Sequence, residues 1–365
     1  MSDTDSKDIQ IVHVNAQSGS YDVMVGLDIL SEVGPVARRT AGGTVAFVVS
    51  NTNVNPLYGE VVNQSLRDAG YTVATKVVGV GEAIKTMSVL SDVLECMADA
   101  QMTRDDLVVA LGGGVVGDLA GFAASIYMRG CHVLQVPTSL LAMVDSSVGG
   151  KTAVDIVHGK NLAGTFFQPS AVIASIQCLT TINRQLFTDS CGEVLKYGVM
   201  SDADLFEELE RKPINEGEYD LKRIEKIVKR CVEIKRDVVD TDEREHGLRQ
   251  ILNLGHTIGH AIEAESSYTL GHGSCVAAGM CFIVRACAKR GLCSDEVAQR
   301  VVSTVEHYGL PTGSNVSTDS LYERALADKK RHGDTINVVL VRDIGKVEVS
   351  TLTVADFRKL IEEGR

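Results

Sequence analysis

No C-x-x-C pair occurs among the nine cysteines, and their odd number fits no disulfide framework. The pattern reads as reduced thiols in a cytosolic protein. Cys275, Cys281, Cys287 and Cys293 recur every six residues, which spreads them around a helix, as small buried apolar side chains. Long apolar runs are lacking too. The run 276–284 is too short to span a bilayer and is stopped by Arg285. The N-terminal MSDTDSKD is acidic and polar, so no secretory signal is expected. Repeats, low-complexity tracts and long linkers are absent. Positive charge is in short supply: 36 Lys and Arg stand against 48 Asp and Glu, a net charge of −12. That argues against a nucleic-acid or anionic-membrane surface. An anionic small substrate must be met by local lysines and arginines.

What is present suits a soluble globular protein: 44% hydrophobic and 23% charged residues over 365 positions, a length that suggests two domains. IQIVHV and YDVMVG predict an early β-hairpin. Valine-rich strands follow at 44–50, 71–79, 106–114, 132–137 and 171–175, with helices at 56–69, 86–101 and 117–129. Such alternation implies a largely parallel sheet covered on both faces. Gly112-Gly-Gly-Val-Val-Gly117 matches G-x-G-x-x-G between a strand and a helix, the context a pyrophosphate needs. It departs from the usual dinucleotide unit, because no acidic residue follows a strand about 20 residues on. Asn51, Asn53, Glu82 and Lys85, each just after an earlier strand, could meet the cofactor instead.

The middle is denser in chemistry. Residues 136–155 gather Thr138, Ser139, Asp145, two glycines and Lys151, and 158–170 add Lys160 and Asn161. Gly-Lys pairs suit phosphate or carboxylate; an exposed basic loop is the plainer reading. Glu193 and Lys196 share a helical face in an apolar segment, and a carboxylate is rarely buried without a cation or metal. The rest reads as helical: 221–239, 274–290, 294–308 and 318–330, then a hairpin over 337–351 and a last helix over 354–362.

Three of the nine histidines, His256, His260 and His272, fall within 18 residues. His256 and His260 are four apart and share a helix face. Gly271 and Gly273 bracket His272 on an expected turn. Each histidine alone could be an ordinary core or surface residue; three together form a candidate metal cradle, which Glu193 completes as a Glu, His, His set.

The segments LGGGVVGDLAGFAASIYMRG, VPTSLLAMVDSSVGGKTAVD, GKNLAGTFFQPSAV, GEVLKYG and LNLGHTIGHAIE resemble, in that order, those of the 3-dehydroquinate synthase family of sugar-phosphate cyclases. The resemblance implies an N-terminal Rossmann-like NAD-binding domain with a mostly parallel sheet, and a C-terminal, mainly α-helical metal and substrate domain. The boundary is expected between 176 and 177. It implies NAD, a divalent metal (zinc, with cobalt possible) and a homodimer. The implied reaction converts 3-deoxy-arabino-heptulosonate 7-phosphate to 3-dehydroquinate and phosphate, by transient oxidation, β-elimination, re-reduction and aldol closure.

Carried over by motif, the metal ligands are Glu193, His256 and His272, and not the helical pair His256 and His260. His260 helps hold the phosphate, with Lys151, Asn161 and Asn253. Arg129 reaches the partner subunit's phosphate site, and one of Lys329 and Lys330 adds another cation. Lys196, Lys235 and Arg249 meet the carboxylate and hydroxyls, and Asp145, Asp242 and Glu245 also match pocket positions. NAD falls to Glu82, Lys85, Gly113, Gly114, Val115, Asp118, Thr138, Ser139, Leu141, Lys160 and Thr181. Asn51 stands where many members have Asp, so its ribose contact is the departure from pattern. Three other readings compete. A polyol dehydrogenase needs an Asp-x-x-x-His pair, absent around 189–197. An inosose or valiolone synthase alters the carboxylate pocket, where Arg249, Asn253 and Lys235 are present. An inactive scaffold predicts a damaged metal set.

Overall fold

The computed structural model describes residues 8–267, 269–327, 331–332 and 334–365. Lys329 and Lys330 lie outside the described residues. The chain divides into two compact units: Met1–Thr181 with Leu221–Glu243, and Ile182–Asp220 with Arg244–Arg365.

Unit 1 opens with the expected antiparallel hairpin, β1 (Gln10–Ala16) and β2 (Gly19–Gly26). Then come α1 (Val33–Thr40), β3 (Val45–Asn51), α2 (Glu60–Asp68), β4 (Thr72–Val78), α3 (Met87–Asp99), β5 (Leu107–Gly112), α4 (Gly114–Ile126) and β6 (His132–Pro137). Helix α1 was not expected, because Gly34 and Pro35 break the helical pattern. Both lie in its first turn, where a missing N–H costs little. A hairpin, β7 (Lys151–Ile156) and β8 (Gly159–Phe166), precedes β9 (Ala171–Ser175). It occupies the stretch whose Gly-Lys pairs suit phosphate or carboxylate, with an exposed basic loop as the plainer alternative. The middle of β7, Thr152 to Val154, is buried while β8 is exposed or half-buried, and Thr152 lies so close to α4 that a Cβ on Gly121 would come within 2.5 Å of it.

The seven strands run in the order β1-β2-β9-β6-β5-β3-β4, and every pairing from β2 to β4 is parallel. Strands β5 and β9 are buried along their whole length, as continuous valine and alanine runs require. Edge strand β4 turns Thr72, Thr75 and Lys76 towards the surface at varying depth. The chain steps from β3 out to β4 and then back across β3 to β5. The carboxyl ends of β3 and β5 are therefore the reversal point, where open α/β sheets bind ligands. Asn51 and Gly112 end those two strands.

Unit 2 begins with α5 (Arg184–Ser201) and α6 (Ala203–Arg211). The chain then returns to unit 1 as α7 (Leu221–Thr241). That helix had been assigned to the second domain. Its apolar face, Ile224, Ile227, Val228, Cys231 and Val232, is buried, and around it Asp240 accepts from the Asn15 amide at 2.7 Å. Just beyond it, Glu243 accepts from the Ser18 amide at 2.9 Å. Unit 2 continues with α8 (His256–Glu265), α9 (His272–Lys289), α10 (Asp295–His307) and α11 (Thr318–Ala327). A three-stranded antiparallel sheet, β10 (Arg331–His332), β11 (Thr335–Asp343) and β12 (Lys346–Thr353), and α12 (Val354–Glu363) close it. Helix α5 is buried from Asp189 through Met200, so Glu193 and Lys196 sit in the core rather than on a wet face.

Candidate functional site

In unit 1 the candidate residues collect on the loops that follow the parallel strands. Gly113 caps α4 in an extended conformation, and the helix starts at Gly114, three residues earlier than expected. A Cβ on Gly114 would lie 2.9 Å from Ser146 Oγ, and one on Gly113 3.3 Å from Ser139 Oγ. A side chain here would crowd these two serine hydroxyls, and the turn puts its N–H groups at a helix start, which is the form a pyrophosphate cradle takes. Val115 follows in the first turn of α4. The Thr138 amide donates to Gly112 O at 2.9 Å, joining the ends of β5 and β6, and Leu141 leads into the turn that carries Asp145.

A second group lies around Lys85. Its Nζ donates to Asp118 Oδ2 at 2.5 Å and to Asn161 Oδ1 at 2.5 Å, with Glu82 Oε1 at 3.9 Å. Lys160 Nζ stands 3.6 Å from the same Glu82 oxygen. Burial pushes the Asp118 carboxyl up to about 6, even though the Lys85 ammonium pulls the other way. Asn161 has a left-handed backbone, φ 56°, and its amide donates to Asp155 Oδ1 at 2.8 Å. Asn161 had been assigned to the phosphate, yet it joins the group assigned to NAD. Asn51 spends its side-chain oxygen on the Asn53 and Val54 amides, at 3.0 and 2.9 Å. Thr181 Oγ1 shares a 2.6 Å hydrogen bond with Tyr58. Lys235, nearly buried on α7, donates to Asp145 Oδ1 at 2.8 Å and to its carbonyl at 2.6 Å. Arg129, with φ 69°, and Lys151 are exposed, and Asp242 is half-buried just beyond α7.

In unit 2 glycines bring three helices into contact. A Cβ on Gly192 would meet Gly273 O at 2.1 Å, and one on Gly279 would meet Gly255 O at 2.1 Å. Gly255 holds φ 78° at the start of α8. These close approaches place Glu193 of α5, His256 at the head of α8 and His272 at the head of α9 side by side. Glu193 is fully buried, and its Oε1 lies 3.4 Å from His256 Nε2 and 3.4 Å from His272 Nε2. Donors of a tetrahedral site with bonds of about 2.0–2.1 Å stand about 3.3–3.4 Å apart, so the spacing fits zinc. One ligand atom from each of His256, His260 and His272 also falls within 4.8 Å of the others, so the three imidazoles form one cluster. Lys196 pairs with Glu193. Burial works against a charged His272, but its hydrogen bonds to the Glu193 and Glu263 carboxylates outweigh it and push the imidazole up to about 10. Arg249 is buried, and Asn253 Nδ2 donates to Glu245, which holds a left-handed φ of 62°.

The family model described as 3-dehydroquinate synthase N-terminal matches residues 75–189, and the one described as 3-dehydroquinate synthase C-terminal matches residues 190–331. The chain belongs to the 3-dehydroquinate synthase family. It is 41% identical over 329 residues to a 3-dehydroquinate synthase of Clostridium acetobutylicum, covering 89% of this chain and 92% of that one. It is 43% identical over 348 residues to that of Pelobacter propionicus, covering 94% and 97%. Among solved structures it resembles a 2-epi-5-epi-valiolone synthase from Streptomyces hygroscopicus subsp. jinggangensis with NAD+ and Zn2+ bound. That match has 26% identity and a TM-score of 0.85 and covers 95% of this chain and 96% of that one.

Two residues near the 3-dehydroquinate synthase motifs escaped the sequence reading. Asp189 accepts from the Ser274 amide at 2.8 Å and the Gly273 amide at 3.3 Å, so it caps α9 and makes His272 a helix start, not a turn residue. Glu263 is buried, with Oε2 3.3 Å from His272 Nδ1. A carboxylate inside the apolar run of α8 was the available signal for Glu263; the fold alone reveals Asp189's partner.

Proposed function

We propose that this chain, a carbon–oxygen lyase of the 3-dehydroquinate synthase family, works on 3-deoxy-D-arabino-heptulosonate 7-phosphate with Glu193, His256 and His272 holding a divalent metal. The observation that carries this is one buried carboxylate oxygen 3.4 Å from two imidazole nitrogens, in a chain of this family. Zinc is the first choice and cobalt the second. NAD is held by the loops after β3, β4, β5 and β6, with Gly113, Gly114 and the Lys85–Asp118 pair as anchors. When bound, NAD supplies a reversible hydride acceptor, and the metal polarises oxygens on the substrate.

The chain's own groups do the rest. Lys151, Asn161, Asn253 and His260, with one of Lys329 and Lys330, gather the phosphate and stabilise it as it leaves. Lys196, Lys235 and Arg249 meet the carboxylate and hydroxyls. Asp145 holds Lys235, and Glu245 holds Asn253, so each donor has a fixed direction before substrate arrives. Asp242 lies at the end of the same helix as Lys235. We further infer a homodimer in which Arg129 serves the partner's phosphate. We place the protein in the cytoplasm, in keeping with nine cysteines outside any disulfide and with no described helix long and apolar enough to cross a membrane.

The test is to incubate purified protein with the heptulosonate phosphate, zinc and substoichiometric NAD. Phosphate and 3-dehydroquinate should each exceed the added NAD many times over. NADH accumulating in step with product would point to a dehydrogenase, and turnover of sugar phosphates lacking the carboxylate would point to another cyclase.

A further inference from the structure

We infer that Glu263 is a positioning residue, which fixes the His272 ring through Nδ1 so that Nε2 presents its lone pair to the metal. This rests on the metal assignment above. The two nitrogens of His272 face opposite carboxylates. Nε2 lies 3.4 Å from Glu193 Oε1, on the side of His256, while Nδ1 lies 3.3 Å from Glu263 Oε2. An imidazole that ligates through Nε2 must carry its proton on Nδ1, and Glu263 is the acceptor at that atom. Glu263 is itself buried near the end of α8, two turns beyond His256, and α8 is locked to α9 by the Gly255–Gly279 approach. Its carboxylate therefore has no wet alternative. His256 has the same arrangement in another material: its Nδ1 lies 3.2 Å from the Leu254 carbonyl. One ring is oriented by backbone and the other by a side chain, and only the second can be removed by substitution.

Zinc affinity separates the ideas, read by competition with a chromophoric chelator on refolded-state-checked protein. Glu263→Ala should bind zinc about 10–100-fold more weakly than the parent chain. Glu263→Gln keeps an acceptor but loses the charge, so it should recover most of that loss and remain several-fold weaker. Circular dichroism and a thermal melt report whether each variant folds. If Glu263→Ala does not fold, Glu263→Gln decides alone. Parent-like zinc affinity in Glu263→Gln, or in a folded Glu263→Ala, overturns the proposal. His256→Ala is the control for the metal assignment. If that variant keeps zinc at full affinity, the assignment itself falls, which differs from Glu263 having no effect while His256→Ala is empty.

Discussion

The two units build their sites by opposite means. Unit 1 places Glu82 and Lys85 beyond β4, Asp118 on α4, and Lys160 and Asn161 at the start of β8, and joins them by hydrogen bonds and ion pairs between side chains. Unit 2 places Glu193, His256 and His272 on three helices whose backbones touch through glycine, so the positions are fixed by packing. Such a side-chain network can adjust to a ligand; helices in backbone contact are close-packed and pass strain on. Unit 1 is accordingly expected to lose function gradually on substitution, and unit 2 abruptly.

The sharpest contrast comes from His256→Ala. It removes one of three protein ligands, so zinc should be lost and turnover abolished, while NAD affinity, a property of unit 1, should hold. Metal analysis with a NAD titration on the same sample checks both. If NAD binding collapsed as well, the units would not be independent in this sense.

Gly192→Ala tests the packing claim without touching a ligand. The added methyl would stand 2.1 Å from Gly273 O, a backbone atom that cannot rotate away. Overpacking of this kind costs about 1–3 kcal/mol, and the movement needed falls between Glu193 and His272. A lowered melting temperature together with weaker zinc binding is expected. A stable, zinc-tight variant would show that the close approach does not set the metal geometry.

His260 comes next in size. It lies in the imidazole cluster, with its ring centroid 5.3 Å from that of His256. Assigned to phosphate, its replacement by Ala should leave zinc near stoichiometric and weaken a phosphonate analogue of the substrate. One charge-assisted contact is worth roughly 1.5–3 kcal/mol, about one to two powers of ten in affinity. Zinc lost from His260→Ala but retained in His272→Ala would restore the helical-pair reading.

The same contrast explains what could be read from the amino acids. Strands β3, β5, β6 and β9 were legible because valine and alanine runs between glycines and prolines admit little else. Glu193 was legible because it stands with Lys196 on one face of an otherwise apolar helical segment. Helix α7 showed a buried face, but amphipathic spacing does not say which unit covers it. Hairpin β7–β8 was missed because Lys151, Asp155, Lys160 and Asn161 give it a polar pattern. His272 was placed on a turn because its cap, Asp189, comes from 83 residues earlier in the sequence, a contact that only folding creates. Asn161 was assigned by motif to phosphate, and its bond to Lys85 depends on the loops meeting.

The smallest effect should come from Asp118. Its carboxyl is raised from 3.8 to about 6 because burial outweighs the attraction of Lys85 at 2.5 Å. A carboxyl raised in the folded state binds its proton more tightly there than in the unfolded chain. Its contribution to stability is therefore present below about 3.8 and is lost as pH rises through about 6. Asp118→Asn removes that titration, so its stability should fall less than the parent's between those two values. The same proton governs the charge beside the glycine turn. Below about pH 6 the Lys85 ammonium faces a neutral Asp118, and above it the pair is neutral as a whole. An anionic cofactor should bind a few-fold better at the lower pH. NAD titrations from pH 5 to 7.5 should show an inflection near 6 in the parent protein and a flatter profile in Asp118→Asn. Identical profiles would mean that the loop network of unit 1 is as insensitive to its charges as the helices of unit 2 are expected to be intolerant of a single methyl.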